Sequence, residues 1–241
     1  SVTEVGLAYH DRCQSLLEAV DDLEAAVLDR QEAPQGRLVV TWPQTFGEMY
    51  LNKVLAEFLE RYPQVSVEVN LTDRLGHLLE EGFDLGICEL TDTGLVARRL
   101  AAIRVVTCAA PSYLDRRGAP THPLELRDHA CVSDTNIDGA GRWPYWIDGE
   151  RRNIEVKGPC RVNSARVARD LIVAGAGIGL CPDYAVSDAI RDGRLHLLLQ
   201  NYKSVEYGLY AIYPHRRYLA TKVRAYIEFL SARFRGKPAW S

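Results

Sequence analysis

The sequence predicts an α/β protein, and three observations support this fold class. Short apolar segments of strand composition alternate with amphipathic helical segments, as in parallel sheets with helices on their faces. A glycine-rich stretch at residues 171–183 joins a helical pattern to a strand pattern, and a second series of strands begins after about residue 110. With 241 residues, of which 47% are hydrophobic, the chain can bury the core of one large domain or two small ones.

The first 36 residues are predicted to form a helical arm. Apolar side chains recur there at alternating spacings of four and three residues, on a segment rich in Asp, Glu and Ala. Pro34 and Gly36 break the pattern before the globular part begins. An isolated helix of this kind would expose an apolar stripe, so we expect the chain to self-associate. The stripe consists of Tyr9, Cys13, Leu16, Val20, Leu23 and Val27.

A first group of strands and helices follows the arm. A strand is predicted at residues 37–42, and the next helix, at about 45–62, ends before Pro63. This helix has one strongly apolar face, which we expect to pack on the sheet. The group continues with a strand at 65–71, a short helix at 73–82 and a strand at 83–90.

A second group of elements begins in residues 104–118, which predict a strand followed by a helix that Pro111 and Ser112 can start. The alternation of strand and helix patterns then resumes, so we expect a second α/β unit. Its further strands are predicted at 129–134, 153–158, 160–163 and 193–199, with a helix from about Ser164 to the glycines, and the chain closes with a strand at 207–214 and a helix at 218–234.

Three glycines at every second position, Gly175, Gly177 and Gly179, raise the question of a phosphate-binding loop. Dinucleotide sites place such glycines after a strand and before a helix, so that the helix N-terminus faces the pyrophosphate. Here a helical pattern precedes the glycines, and a short apolar strand that ends at Pro182 follows them. We therefore expect the glycines to end a helix in a left-handed cap and to turn the chain into a buried strand.

The composition argues against several classes of partner. The formal net charge is −3 and no basic stripe is present, so this segment is not expected to bind nucleic acid directly. No apolar run reaches the length of a membrane span, and the N-terminal residues lack the features of a signal peptide. We expect a cytoplasmic location and no membrane partner.

The cysteine and histidine patterns point away from metal sites, cofactors and catalysis. The six cysteines stand singly, without a CxxC pair or zinc-ligand spacing, which favours buried reduced thiols. The six histidines belong to no recognisable catalytic motif, so we predict no catalytic residue, no metal and no cofactor. The cysteines are Cys13, Cys88, Cys108, Cys131, Cys160 and Cys181, and the histidines are His10, His77, His122, His129, His196 and His215.

Five stretches, taken in order, cover most of residues 36–235. They are "GRLVVTWPQTFGEMYLNKVLAEFLERYPQVSVEV", "LLEEGFDLGI", "LVARRLAAIRVVTCAAPSYLDRRGAP", "VNSARVARDLIVAGAGIGLCPDYAV" and "YAIYPHRRYLATKVRAYIEFLSARF". These stretches specifically resemble the LysR-type transcriptional regulators, and residues 2–27 look like the end of the winged helix-turn-helix of that family followed by its linker helix.

The resemblance implies a fold of the type 2 periplasmic-binding-protein kind. Two Rossmann-like subdomains, joined by two crossover strands and preceded by the linker helix, would enclose a small-molecule cleft. Residues 1–36 would be the end of the DNA-binding module and the linker helix, residues 37–110 and 211–235 the first subdomain, and residues 111–210 the second. The helices that contact DNA would lie N-terminal to this sequence, which fits its acidic charge.

The resemblance also implies where an effector would bind. On one side we expect Gln44, Thr45 and Phe46, at the start of a helix whose free N–H groups favour anions. The chain departs from many relatives at Cys88, where they have arginine, and we therefore expect a neutral or singly charged ligand. On the other side we expect Ser133, Thr135, Asn163 and Pro182.

Each of these residues also has a structural interpretation. Thr45 and Glu48 have the Thr-x-x-Glu spacing of a capping box, which would use two of the free N–H groups. The polar residues on the other side fit ordinary loop and cap chemistry, with Asn163 or Ser164 starting the next helix. The nearby Trp143 and Trp146 could line the cleft or pack together as an aromatic pair.

The function implied is that of the effector-sensing and oligomerisation part of a bacterial transcription regulator. A small polar or weakly acidic metabolite would bind in the cleft, and the chain would form a homodimer or homotetramer. DNA would be contacted only through the N-terminal module, and RNA polymerase is a further partner that the resemblance allows. The alternatives are a solute-binding protein of transport, an enzyme on the same fold, and a regulator of the same family that senses thiol oxidation.

Overall fold

The computed structural model describes residues 33–73, 82–90, 97–138, 141–213, 219–236 and 240. The N-terminal helix with its apolar stripe lies outside these residues, as does nearly all of the short helix predicted at 73–82. Within the described part, no helix has both the length and the apolar character needed to cross a membrane.

The first half of the main sheet combines N-terminal strands with one strand from near the C-terminus. Strand β1, Gly36–Trp42, lies between β2, Val65–Leu71, and β3, Leu85–Leu90, and is parallel to both. Strand β11, Glu206–Ile212, is antiparallel to β3 and to the beginning of β4, Ala97–Ala109. The N- and C-terminal parts of the chain therefore share one sheet.

Helix α1 covers this half of the sheet, and its three segments follow one another without a break. They are Gln44–Phe46, a π-helical turn at Gly47–Leu51, and Asn52–Arg61. The helix is confirmed, but its pattern gave no sign of the π-helical turn. A Cβ atom on Gly47 would lie 3.1 Å from the Cβ of Trp42, so glycine lets this turn approach β1 closely.

The second half of the main sheet contains β9, β5 and β8 beside the end of β4, and β10 pairs with β4 on its other side. A separate two-stranded sheet of β6 and β7 packs its apolar face into the core of this half. The strands are β5 Ala130–Asp134, β6 Arg142–Ile147, β7 Glu150–Glu155, β8 Lys157–Val162, β9 Ile178–Pro182 and β10 His196–Leu198.

Helices surround the second half, and one further helix packs on the first. Pro111 begins α2 as predicted, in the first helical position where its missing N–H costs nothing. The second-half helices are α2 Pro111–Arg117, a 3₁₀ helix Pro123–Asp128, α3 Thr135–Asp138, α4 Ala165–Val173 and α5 Asp183–Arg191, and the C-terminal helix on the first half is α6 Thr221–Arg233.

Strand β4 connects the two halves. Its residues up to Arg104 pair with β11, whereas Val105–Cys108 pair with β9. The chain returns between β10 and β11, at residues 199–205. The predicted fold class, two α/β subdomains joined by two crossing segments, is confirmed. The subdomain boundaries at residues 110 and 211 stay a prediction, and this pairing supports placing the changes at about 104 and 199–205.

The glycine-rich stretch runs from helix to strand, as predicted. Helix α4 ends at Val173, and Gly175 has φ +78°, with its N–H donated to the carbonyl of Ile172 at 2.9 Å. A Cβ atom on Gly179 would lie 1.9 Å from the Cδ1 of Ile172, so only glycine lets β9 pack this close to α4. Gly175 therefore ends the helix in a left-handed conformation, and Gly179 allows close packing of the strand that follows.

Candidate functional site

A cavity of about 90 Å³ lies between the two halves of the molecule. It is found where several strands of both halves end, which is where ligands bind in open α/β sheets. The first half contributes Thr41, Pro43, Thr45, Thr72, Asp73, Ile87, Cys88, Glu89 and Tyr207, and the second contributes Asp134, Asn136, Ile137, Ala165, Pro182 and Tyr184.

Two threonine hydroxyls line the first wall. Thr41 is 1% exposed, and its Oγ1 finds no hydrogen-bond partner among the described residues. Thr45, also buried, is the second residue of α1, which starts after Pro43 without a side-chain cap. The capping-box interpretation of Thr45 is therefore wrong, because the residue lies inside the helix. The Glu48 carboxylate instead lies 3.4 Å from the guanidinium of Arg166.

The N-terminus of α1 is occupied by a carboxylate from another element. The N–H of Gln44 donates to Oδ1 of Asp73 at 3.0 Å, and Nδ2 of Asn136 donates to its Oδ2 at 3.2 Å. The same Nδ2 also donates to the carbonyl of Asn163 at 2.9 Å. Burial raises the pKa of Asp73, and these two hydrogen bonds to its carboxylate oppose that rise. The helix end that was predicted to attract an anionic ligand already holds an acidic side chain.

Glu89 and Tyr184 form a second contact between the halves. The Tyr184 hydroxyl donates to Oε1 of Glu89 at 2.7 Å. Burial raises the pKa of Glu89 to about 8, and the negative charges of Asp73, Asp134 and Asp183 act in the same direction. The hydrogen bond from Tyr184 lowers the pKa but does not offset burial. Near neutral pH this carboxyl group therefore binds a proton for much of the time.

The charge around the cavity is negative. Asp134 is 3% exposed, and its Oδ1 accepts the N–H of Asn136 at 3.0 Å. Together with Asp73 and Glu89 it gives the lining three carboxyl groups. Within the described ranges no lysine, arginine or histidine lines the cavity. Arg104 lies outside the lining, and its Nε donates to Asp183 at 3.2 Å.

Cys88 contributes a neutral group to the lining. It is 6% exposed on β3, and burial raises the pKa of its thiol to about 12, with the charge of Glu89 acting in the same direction. The thiol is therefore protonated at physiological pH and supplies no charge to a ligand. Its predicted place beside the cleft agrees with the structure, but its role as an effector contact stays a prediction.

The structure brings some of the predicted site residues to the cavity and leaves others away from it. Thr45, Cys88 and Pro182 line it, whereas the other predicted residues do not. Phe46 is fully buried, and its ring centroid lies 5.0 Å from that of Tyr184. The side chains outside the lining are those of Gln44, Phe46, Ser133, Thr135 and Asn163, of which Gln44, Thr135 and Asn163 are exposed.

The two tryptophans near the second wall do not take part in the cavity. Trp143 is fully buried in the core of the second half. Trp146 is 40% exposed on the other face of β6, with the Arg151 guanidinium 5.7 Å from its ring. They therefore form neither a cleft wall nor a packed pair, because side chains three residues apart on a strand point to opposite faces.

Sequence reasoning missed the acidic residues of the site, although a signal was present. Asp73 and Asp134 stand at or just after the ends of strands β2 and β5. Polar residues at the carboxyl ends of parallel strands converge on one edge of the sheet, so their positions could have been singled out. Glu89 and Tyr184 had no comparable signal, because their contact depends on how the two halves face each other.

The described cysteines are mostly buried, and all are free. Cys88, Cys108, Cys131 and Cys181 are buried, and Cys160 is partly exposed. Burial raises the pKa of Cys131 to about 12. Among the described residues no group of three or more His, Cys, Asp or Glu side chains is arranged to hold a metal ion. Cys13, His10, His77 and His215 lie outside the described residues.

Comparison with known proteins agrees with this architecture. The sequence model of the LysR substrate binding domain matches residues 31–235. The HTH-type transcriptional regulator PtxR of Pseudomonas aeruginosa is 31% identical over 232 residues, which are 95% of this chain and 74% of PtxR.

Two solved structures have the same fold. CrgA, a LysR-type transcriptional regulator from Neisseria meningitidis, is 28% identical with a TM-score of 0.75, covering 98% of this chain and 81% of CrgA. AphB, a virulence activator of Vibrio cholerae, has a TM-score of 0.76 at 24% identity, covering 97% of this chain and 81% of AphB, and supports the fold alone. The resemblance predicted from the sequence is confirmed, and this chain belongs to the LysR family of transcriptional regulators, of which it contains the effector-binding domain.

Proposed function

We propose that the cavity between the two halves is the effector site of this regulator, and that a small polar molecule bound there changes how the halves are arranged. The observation that best supports the proposal is that side chains from both halves meet across the cavity. Asn136 reaches Asp73, and Tyr184 reaches Glu89, at 3.2 and 2.7 Å. A ligand in the cavity would compete for these same polar groups.

Further contacts support a coupling between the cavity and the arrangement of the halves. The Tyr50 hydroxyl on α1 donates to the Tyr184 carbonyl at 3.1 Å, and the Tyr207 hydroxyl donates to the Ile137 carbonyl at 3.1 Å. Each contact joins an element of one half to an element of the other. A ligand that prefers one arrangement shifts the population toward it by its difference in affinity, and DNA affinity changes in response.

The partners predicted from the sequence become part of this proposal. We expect a homodimer or homotetramer, in which the apolar stripe of the N-terminal segment takes part. DNA would be contacted through the winged helix-turn-helix of the family, with RNA polymerase as a further partner. A cytoplasmic location follows from that function. As the relatives are transcription regulators, we expect no enzymatic activity.

Thiol oxidation is a less favourable way for this domain to sense a signal. The reactive form of a cysteine is the thiolate, which forms at exposed sites with a low pKa. The pKa values of Cys88, Cys131 and Cys181 are all raised. Cys160 is the one partly exposed thiol in the described ranges, and β8 places it away from the cavity lining. A transport function is also less favourable, because the relatives are regulators.

The proposal is tested by a ligand screen followed by a matched pair of variants. A thermal-shift screen of small polar metabolites selects a binder, since a ligand of the folded state raises the melting temperature. Calorimetric titration of that binder then compares Thr45→Val, inside the cavity, with Thr135→Val, which is exposed outside it. We expect Thr45→Val to lower the affinity about fivefold or more, in line with one lost hydrogen bond, and Thr135→Val to leave the affinity unchanged. Equal affinities in both folded variants would place the binder elsewhere.

A further inference from the structure

We infer that the ligand of this cavity is a small organic cation, with a protonated amine or amidine group held by the carboxylates of Asp73, Asp134 and Glu89. The inference rests on the proposed function, because it assumes that the cavity between the halves is the effector site. A cationic ligand differs from the polar or weakly acidic metabolite predicted from the sequence. The proposed function left the charge of the ligand open.

The carboxyl groups of the cavity come from both halves of the molecule. Asp73 comes from the first half, two residues after the end of β2, whereas Asp134 closes β5 in the second half, and Glu89 lies on β3. All three line one cavity of about 90 Å³. Acidic groups brought together around one cavity repel one another, and a bound cation reduces that repulsion. An anionic ligand would add to it.

A buried hydroxyl in the cavity lacks a hydrogen-bond partner among the described residues. Thr41 is 1% exposed and lines the cavity, yet its Oγ1 has no hydrogen bond within the described part of the chain. A buried hydroxyl without a partner costs free energy, so native proteins seldom leave one unless a ligand or water completes it. Its two lone pairs can accept N–H donors, as the carboxylates can. An ammonium group, which only donates, complements this set of acceptors.

The remaining lining offers nothing that would neutralise an anion. The described lining contains no lysine, arginine or histidine, and Cys88 is neutral. Arg104 and Arg166 lie outside the lining, where they pair with Asp183 and Glu48. The acidic side chains also do not form a metal-binding group among the described residues. An organic cation is therefore favoured over an anion and over a metal ion.

Proton release gives the inference a distinctive signature. Glu89 faces the Tyr184 hydroxyl and lies near the carboxyl groups of Asp73, Asp134 and Asp183, of which Asp183 is paired with Arg104. Burial raises the pKa of Glu89 to about 8, so the carboxyl group is mostly protonated at pH 7. A cation beside it would favour the ionised form and lower that pKa. Binding at pH 7 should therefore release up to about 0.9 proton from Glu89.

The test compares three probes of similar length and different charge. These are 1,3-diaminopropane, 1,3-propanediol and malonate, titrated calorimetrically into the full chain at pH 7 and constant ionic strength. We expect the diamine to bind at least tenfold more tightly than the diol, and malonate to bind most weakly. Repeating the titration in buffers with different ionisation enthalpies measures the number of protons released.

Conservative variants assign the effect to named residues. Asp134→Asn keeps an acceptor oxygen for the Asn136 N–H and should weaken diamine binding by about tenfold to a hundredfold without abolishing proton release. Glu89→Gln should weaken binding and also abolish most of the proton release. Glu57→Gln, which removes the same charge on the exposed face of α1 beside Arg233, is the matched control and should change neither quantity. Thermal melts show whether each variant folds.

Several outcomes would overturn the inference. They are tighter binding of malonate than of the diamine, equal binding of the diol, absence of diamine binding at millimolar concentration, or saturation of the same site by Mg²⁺ alone. An anionic binder that loses affinity in Thr45→Val would refute the charge of the ligand and leave the proposed function intact. A diamine that binds equally to the parent, Thr45→Val and Asp134→Asn would refute both, because it would bind outside the cavity.

Discussion

Helices α1 and α4 begin on opposite walls of the cavity, and their first N–H groups are satisfied in different ways. Helix α4 has a local N-cap, since the Ser164 hydroxyl accepts the N–H of Val167 at 3.4 Å. Helix α1 starts after Pro43 without a side-chain cap, and Asp73, which follows another strand, accepts the N–H of Gln44. A local cap stabilises its own helix, whereas a distant cap also joins the helix to other elements.

The first turns of the two helices differ in packing as well. Phe46, the third residue of α1, is fully buried and contacts the rings of Tyr50, Tyr184 and Trp240. Val167, the third residue of α4, is 46% exposed. The start of α1 is thus held in the core of the molecule, while the start of α4 lies at the surface. This difference should appear in how each helix start responds to mutation and to pH.

The largest effect is expected from truncating these two side chains. Phe46→Ala should lower the free energy of unfolding by about 3 to 5 kcal/mol, because it removes a buried ring and leaves a cavity. Val167→Ala should change it by less than about 0.5 kcal/mol. Urea unfolding followed by circular dichroism measures both values. Similar losses in the two variants would show that the two helix starts are equally packed.

An intermediate effect is expected from pH, because the carboxyl groups of Asp73 and Glu89, whose pKa values are raised, lie on the same side of the cavity as α1. The pKa of Glu89 is raised from an ordinary 4.5 to about 8, so between these values the folded chain retains a proton that the unfolded chain has released. Stability should therefore fall as pH rises across this interval, by on the order of a few kcal/mol. The raised pKa of Asp73 acts in the same direction.

The control for this prediction is a pair of variants measured across the same pH range. Glu89→Gln should flatten the dependence of the unfolding free energy on pH, because glutamine does not titrate. Ser164→Ala should leave the slope unchanged, since a hydroxyl cap carries no titrating charge. A steep slope that persists in Glu89→Gln would assign the pH dependence to other groups.

The smallest effect is expected at the caps themselves. Ser164→Ala should lower the free energy of unfolding by about 1 kcal/mol, and Ser164→Asp should restore it, because a carboxylate also accepts at the N-cap. Asp73→Asn keeps an acceptor for Gln44, loses the acceptor for Asn136, and relieves repulsion with Glu89, so the net loss of stability should be smaller. Thermal unfolding at fixed pH separates these values. A larger loss for Asp73→Asn than for Ser164→Ala would show that the charge of Asp73 is itself stabilising.

Much of the fold followed from local patterns in the sequence. The order of strands and helices, the cap at Ser164 and the helix-to-strand turn at Gly175 each depend on residues close together in the chain. Apolar spacings of two and of about 3.6 residues describe one element at a time, and glycine tolerates a positive φ in any context. The π-helical turn in α1 is local too, but it has no distinct apolar spacing.

The candidate site was predicted only in part, because its residues come from elements far apart in the chain. Thr45, Cys88 and Pro182 were placed beside the cleft through the family resemblance. The acidic character of the lining was not foreseen, since nothing in the sequence around Asp73 and Glu89 shows that the two residues come close together. The N-cap of α1 was not foreseen either. The spacing from Thr45 to Glu48 suggested a capping box, whereas Asp73 accepts the N–H of Gln44.

The sequence by itself therefore determined the elements, their order and the class of the fold, because apolar period, caps and turn residues act over a few positions. The tertiary structure alone decided which carboxyl groups share the cavity and which protons they hold. Strand β4 crosses from one half to the other and fixes how the halves face each other. This placement brings Glu89 to Tyr184 and Asp73 to Asn136. The charge of the cavity depends on how close these groups lie and how deeply they are buried, and no local sequence pattern encodes either.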